Sequence, residues 1–149
     1  MILSDTQIKG RGQYGKKWIS NKGNLFVSFF FNLNKFNISL KKLTKFNCLL
    51  VKKCISRYYN KKIHFKKPND LIIKKKKICG ILQEKINKFN NDYFIVGIGI
   101  NLIKSPAIKD YPTTNLKELI NKDISKKKIE IELKKIFENS LNKLLKKGY

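Results

Sequence analysis

Acidic residues are scarce in this chain: 10 Asp and Glu stand against 34 Lys and Arg among 149 residues, a formal charge of +24 at pH 7. Arginine is scarcer still, since Arg11 and Arg57 are the only two and the rest of the positive charge is lysine. Nucleic-acid surfaces built on bidentate contacts usually include several Arg. The lysines are also interspersed with many Ile and Asn, the bias that an AT-rich coding sequence produces. The charge is therefore read mainly as solvated lysine over many faces, with an acidic partner as the functional alternative. A single histidine, His64, and three cysteines without CxxC spacing give no disulfide framework and no zinc site. Cys48 and Cys54 fall in an apolar helical pattern and are read as core filling rather than as nucleophiles. No run approaches 18 apolar residues, and no cleavage pattern follows Met1-Ile2-Leu3. No membrane segment is expected, and the expected compartment is a reducing cytoplasm.

What is present is enough apolar material for one core. Hydrophobic residues make up 42% and aromatics 11%, with ten Phe spread along the chain, too much for a disordered basic tail. The length allows one ordinary domain. Leu25 to Phe31 is aromatic and β-branched with little periodicity, as in a strand covered on both faces. From Ser39, an N-cap, Leu40, Leu43, Phe46, Leu50, Cys54 and Tyr58 recur at spacings of three and four and predict a helix of about five turns. Strands are predicted over residues 62–66, 71–73, 78–84 and 93–102, with turns at Pro68-Asn69-Asp70, at the lysine run 74–77 and at Asn90-Asn91. Residues 103–114 read as a loop, Asn115 as the cap of a short helix to Ile120, and the stretch from Ser125 as an amphipathic helix through Leu144.

Several places could carry chemistry. Residues 7–24 hold Gly10, Gly12, Gly15 and Gly23 with Arg11, Lys16, Lys17 and Trp18, a basic surface loop whose glycines let backbone N–H groups approach an anion. It matches neither the dinucleotide fingerprint nor the P-loop; a plain lysine-rich loop is the structural alternative. Asn69 and Asp70 form an Asx-type turn or, functionally, a site for magnesium and phosphates. Lys77 stands out from its lysine run because the apolar Ile78-Cys79-Gly80-Ile81-Leu82 follows it and can carry it into a site. Val96-Gly97-Ile98-Gly99-Ile100-Asn101 sets glycines at alternate positions, as in a strand against which a flat ligand lies; Asn101 is otherwise a strand-end turn residue.

Taken in order, GRGQYGKKW at 10–18 with SNKGNLFVS at 20–28, KKPNDL at 66–71, KICGILQE at 77–84 and GIGINL at 97–102 resemble the catalytic domain of biotin protein ligases. The resemblance implies an α+β fold, a mixed β-sheet flanked by helices and related to class II aminoacyl-tRNA synthetases. It also implies activation of biotin by ATP and Mg²⁺ to biotinyl-5'-adenylate, followed by transfer to a lysine of the biotin carboxyl-carrier domain of acetyl-CoA carboxylase. By resemblance, Gln7, Gly10, Arg11 and Gly12 would line the biotin and adenylate site. Lys77 would contact the activated carboxylate and α-phosphate, with Arg11 as the second catalytic cation, and Gly80 would border biotin. Asn69, Asp70 and Asn101 would face ATP and its metal, with Asp70 as the metal ligand, and Trp18 would lie near the adenine-covering loop. The sequence departs from the family's pattern at Gln13, where a second loop arginine is common, and at Lys67, where a Trp is usual. A strand and helix carrying a Ser-Thr-Asn motif would precede Met1, so the expectation is a partial catalytic domain over 1–149, with its motifs in 3–105 and a helical part at 115–147. DNA binding is not expected, and a homodimer is left open. The rivals are a lipoate or octanoate transferase of the same fold, an inactive remnant, and a basic nucleic-acid-binding protein.

Overall fold

A computed structural model describes residues 1–146. Six strands form one sheet: β1 (Ile2–Ser4), β2 (Leu25–Asn32), β3 (His64–Lys66), β4 (Asp70–Ile73), β5 (Lys76–Lys88) and β6 (Asn91–Ile100), in the order β1-β2-β6-β5-β4-β3. Each neighbouring pair is antiparallel. The sheet expected to be mixed is thus antiparallel throughout these strands, and among the described residues its parallel element is an isolated bridge between Lys77 and Thr113. The tight turns at 67–69, 74–75 and 89–90 explain the pairs β3–β4, β4–β5 and β5–β6, because short connections return the chain antiparallel. At the last two turns Lys74, Lys75, Phe89 and Asn90 take positive φ, as the turns of such hairpins require.

Helices α1 (Leu40–Ile55) and α3 (Lys126–Lys146) cover one face of the sheet, and the short α2 (Leu116–Ile120) precedes α3. Ser39 caps α1 by accepting from the Lys42 N–H, and Asn115 caps α2 by accepting from the Glu118 N–H at 2.9 Å, both as predicted. Residue 147 of the predicted helical part lies outside the described residues. The apolar stripes of α1 (Leu43, Val51, Cys54, Ile55) and α3 (Ile129, Leu133, Phe137) bury against Leu25, Val27 and Phe29 of β2 and Val96, Ile98 and Ile100 of β6. The Phe29 and Phe137 rings stack at 4.1 Å. A polar seam crosses this core: Gln83 accepts from Asn47 Nδ2 and donates to the Thr44 carbonyl, so α1 is keyed to β5. The two helices are clasped where the Tyr58 hydroxyl donates to Glu132 at 2.8 Å.

The alternation of strand side chains sends Gly80, Leu82 and Glu84 of β5, and Ile95, Gly97 and Gly99 of β6, to the other face. Among the described residues no long helix covers that face, and the candidate site lies there. β2 was expected to be covered on both faces, but its outer half opens, with Phe30 57% exposed. Its neighbour β1 is a three-residue edge strand that sequence patterning did not reveal.

Candidate active site

The open face holds a cleft of about 430 Å³. Its floor is glycine. Gly80 pairs directly with Gly99 across β5 and β6, and Trp18 lies on both: a Cβ at Gly80 would sit 2.6 Å from Trp18 Cζ3, and one at Gly99 would sit 2.6 Å from Cε2 and 2.9 Å from Nε1. The ring on this floor is the protein's own indole, seated on the cross-strand pair Gly80 and Gly99; Gly97, the other alternating glycine of β6, faces Leu82 and Ser28 instead. Its buried Nε1–H has no hydrogen-bond partner among the described residues, so contact with the floor, not hydrogen bonding, seats it there.

The loop that delivers Trp18, a basic surface loop by composition, is not irregular throughout. Its core is a small hairpin: Gly12 N–H donates to the Lys16 carbonyl, Trp18 N–H donates to the Gly10 carbonyl at 2.9 Å, and Arg11 bridges Lys17. Gly15 takes φ +73 at the turn, and Gly10 passes so close to Trp18 that a Cβ would meet its carbonyl oxygen at 2.7 Å. Ser20 donates to Gln7 Oε1 at 3.0 Å across the base of the loop. Arg11 points over the cleft, 71% exposed, and pairs with Glu84 at 3.0 Å. Such exposed pairs contribute only about 0–1 kcal/mol, so an anionic ligand can draw the guanidinium away at little cost.

Lys77 reaches the cleft through a register shift. Asp70 pairs with Gly80 and Leu71 with Cys79, but Ile72 pairs with Lys77, leaving Ile78 as an extra residue in β5. Without this bulge, strand alternation would turn Lys77 toward the core; with it, Lys77 shares a face with Asp70. The ammonium is 2.8 Å from Asp70 Oδ1, with the lysine side chain 9% and the aspartate 19% exposed. It also lies 5.1 Å from the Trp18 ring centre. Among the described residues Lys77 is the one lysine that falls in the buried set. This is the feature that separates it from a solvated lysine run.

Of the residues singled out from sequence, Gln7, Arg11, Gly12, Trp18, Asn69, Asp70, Lys77 and Gly80 line the cleft. Gly10 and Asn101 do not. Gly10 lies behind Trp18. Asn101 is 1% exposed, and its amide donates to the Thr114 carbonyl at 3.1 Å while its oxygen meets Asn24 Nδ2 at 3.4 Å. A side chain so engaged stands behind the cleft and not along its lining, unlike the place expected for Asn101. Sequence reasoning missed Asn24, whose Oδ1 accepts from the backbone N–H groups of Leu102, Ile103 and Lys104 at 3.0–3.1 Å. It also missed Tyr111, whose hydroxyl is 3.4 Å from Lys77 Nζ. Neither carried a signal in local pattern, because both depend on contacts distant in sequence. No cluster of three His, Cys, Asp or Glu side chains is placed to hold a metal ion among the described residues, and none of their helices is long and apolar enough to cross a membrane.

A buried ammonium and an exposed guanidinium above a glycine floor give the cleft two cations beside a flat, side-chain-free surface. The chain belongs to the biotin/lipoate A/B protein ligase family, whose model matches residues 1–101. Within that family its likeness runs to biotin protein ligases. The Aquifex aeolicus biotin protein ligase, solved in complex with biotin and ATP, superposes with a TM-score of 0.78 at 35% identity, over 97% of this chain and 60% of that one. The Escherichia coli bifunctional ligase/repressor BirA is 30% identical over 102 residues, 67% of this chain and 32% of that protein. The fold is also shared with Plasmodium falciparum LipL1, solved in complex with lipoate, at a TM-score of 0.57 and 25% identity, over 77% of this chain and 34% of that one. The chain thus spans about a third of the E. coli protein. The fold is the α+β architecture of these ligases, with an antiparallel sheet flanked by helices.

Proposed function

We propose that this chain is a biotin protein ligase catalytic domain, with its motifs in 3–105 and a helical part from 115, that joins biotin to AMP and passes the biotinyl group to a lysine of the biotin carboxyl-carrier domain of acetyl-CoA carboxylase. The observation that carries this reading is Lys77, a buried ammonium aimed by a bulge at the edge of a glycine floor. In adenylation the biotin carboxylate attacks the α-phosphorus of ATP, forming a C–O–P link and releasing pyrophosphate. Both reactants are anions, so the site must neutralise charge that builds on the phosphoryl oxygens; no protein nucleophile is needed. Lys77 supplies a fixed cation near the floor, and Arg11 supplies a second, mobile one when it exchanges Glu84 for the ligand. A ring ligand taking the floor of Gly80 and Gly99 displaces the Trp18 indole, which then covers a ligand instead of the empty sheet. In the second step the carrier lysine attacks the acyl carbon and AMP leaves, and proximity provides much of the acceleration.

Magnesium fits the donors in a limited way. Asp70 offers one carboxylate beside Asn69, and magnesium characteristically binds one or two carboxylates together with substrate phosphates and waters. Asp70 would hold the ion on the nucleotide, where it would supply charge neutralisation at the phosphates. The test is to incubate the chain with ATP, Mg²⁺, biotin and an apo carrier domain and to read biotinylation with streptavidin, running lipoate in parallel. Biotin transfer is expected, with the Lys77→Met rate lower by about 10²-fold or more. Absence of biotinylation by the wild-type chain would sink the proposal, and transfer of lipoate instead would reassign the substrate.

A further inference from the structure

Tyr111 stands in the segment that joins β6 to α2, half-buried at the edge of the cleft. This segment is strapped to Lys77 by its backbone: the Lys77 N–H donates to the Pro112 carbonyl and the Thr114 N–H donates to the Lys77 carbonyl, both at 2.9 Å. Thr113 forms the parallel bridge with Lys77, and its hydroxyl donates to the Pro106 carbonyl at 2.6 Å, closing the strap on itself. Tyr111 is therefore held against the residue whose side chain it meets. The Lys77 Nζ is 3.4 Å from the Tyr111 hydroxyl oxygen and 5.1 Å from the ring centre. A cation above the ring face would be farther from the hydroxyl than from the centre; the reverse holds, so Lys77 meets the hydroxyl and not the π face. An ammonium has only donors, so the phenolic oxygen accepts. Its own O–H proton then points elsewhere, and among the described residues no protein group accepts it.

We propose that the Tyr111 O–H and the Lys77 ammonium are two donors for one anionic oxygen, so that Tyr111 is a substrate-contacting residue for the carboxylate or α-phosphate that Lys77 receives. This rests on the ligase reading of the site. The ammonium polarises the hydroxyl it donates to, which strengthens the O–H as a donor. Asp70 at 2.8 Å and the Tyr111 hydroxyl at 3.4 Å both stand against the ammonium, so an anionic oxygen that reaches Lys77 arrives beside the hydroxyl. The sequence conceals this role, because Tyr111 is 34 residues from Lys77 in a segment that reads as a proline-containing loop.

The test uses the full chain and the conservative variant Tyr111→Phe, which keeps the ring and removes the donor. Calorimetric titration with AMP is expected to show affinity about fivefold weaker in the variant, the scale of one lost hydrogen bond to an anion, with the melting temperature essentially unchanged. AMP affinity equal in the two proteins, or no AMP binding by either, overturns the proposal. Biotin-dependent exchange of pyrophosphate into ATP is measured on the same samples. There, kcat is expected to fall by about 10²-fold with the KM for biotin within about twofold. An unchanged kcat in an exchange-active background also overturns the proposal. A wild-type chain that lacks exchange, yet binds AMP more tightly than Tyr111→Phe, refutes the ligase reading while leaving the paired donors standing.

Discussion

Replacing Gly99 by Ala tests how the cleft is filled. The new methyl would sit 2.6 Å from Trp18 Cε2 and 2.9 Å from Nε1, about 1 Å inside ordinary contact distance, so either the indole or the sheet must move. The sheet is the stiffer partner. Gly99 lies between paired Gly80 and Phe26 on the longest strand pair, with Ile98 and Ile100 buried beneath. Trp18 is carried on a short hairpin and lacks a hydrogen bond at Nε1. The ring is therefore expected to lift, baring about half of an indole's roughly 200 Å². At about 25 cal/mol per Å² this is about 2.5 kcal/mol, within the range of about 1–3 kcal/mol seen for overpacking. The melting temperature should fall by about 5–10 °C. Trp18 is the sole tryptophan, so its emission reports on the ring alone, and a red shift toward solvent-exposed indole is expected in the folded variant. The same loss of stability without any red shift would mean that the sheet gives way and the ring stays, and the reasoning would be wrong.

Asn24→Ala strands three backbone N–H groups, of Leu102, Ile103 and Lys104, where the side chain is fully buried. The Leu102 N–H is buried while those of Ile103 and Lys104 are part-buried and can turn to water, so at about 1–3 kcal/mol for a buried unpaired donor a loss of about 1–3 kcal/mol is expected by urea denaturation; a loss below about 0.5 kcal/mol would contradict the assigned contacts. Burial pushes the Cys48 thiol up to about 11 and the Cys54 thiol up to about 12, and holds Cys79 well above its usual range. Folded values raised above the unfolded one give stability that is complete below about pH 8.5 and is lost as pH rises through the folded values. Each such thiol should cost about 1.4 kcal/mol per pH unit above the unfolded value. Unfolding free energies from pH 8 to 10.5 should therefore fall more steeply in the wild type than in Cys54→Val, and equal slopes would refute the burial argument.

The elements that sequence revealed were those decided locally. Ser39 and Asn115 cap helices because a side-chain oxygen two or three residues ahead of a free N–H suffices, and the hairpins follow from turn residues between apolar runs. Lys77 was legible because an apolar strand behind a lysine run leaves its last member the choice of core or site. What settles that choice, the bulge at Ile78, depends on registration with β4 and is not written in β5 alone. The glycine alternation of β6 suggested a place for a flat ligand, but the floor under Trp18 pairs Gly99 with Gly80 of the neighbouring strand, a pairing that β6 alone does not show. The partners of Asn101 were not legible because a strand-end asparagine looks the same whether it faces a ligand or a buried amide partner. β1 escaped notice because three residues carry no period, and Tyr111 because nothing near it in the chain marks its neighbour.

Asn24 stands at the end of the glycine loop and grips the first residues after β6, the same stretch that runs on to Tyr111. The two walls of the cleft, one bearing Arg11 and Trp18 and the other bearing Tyr111, are thus riveted to a single buried amide. Removing that one amide would therefore release the ends of both segments together, and not one wall alone.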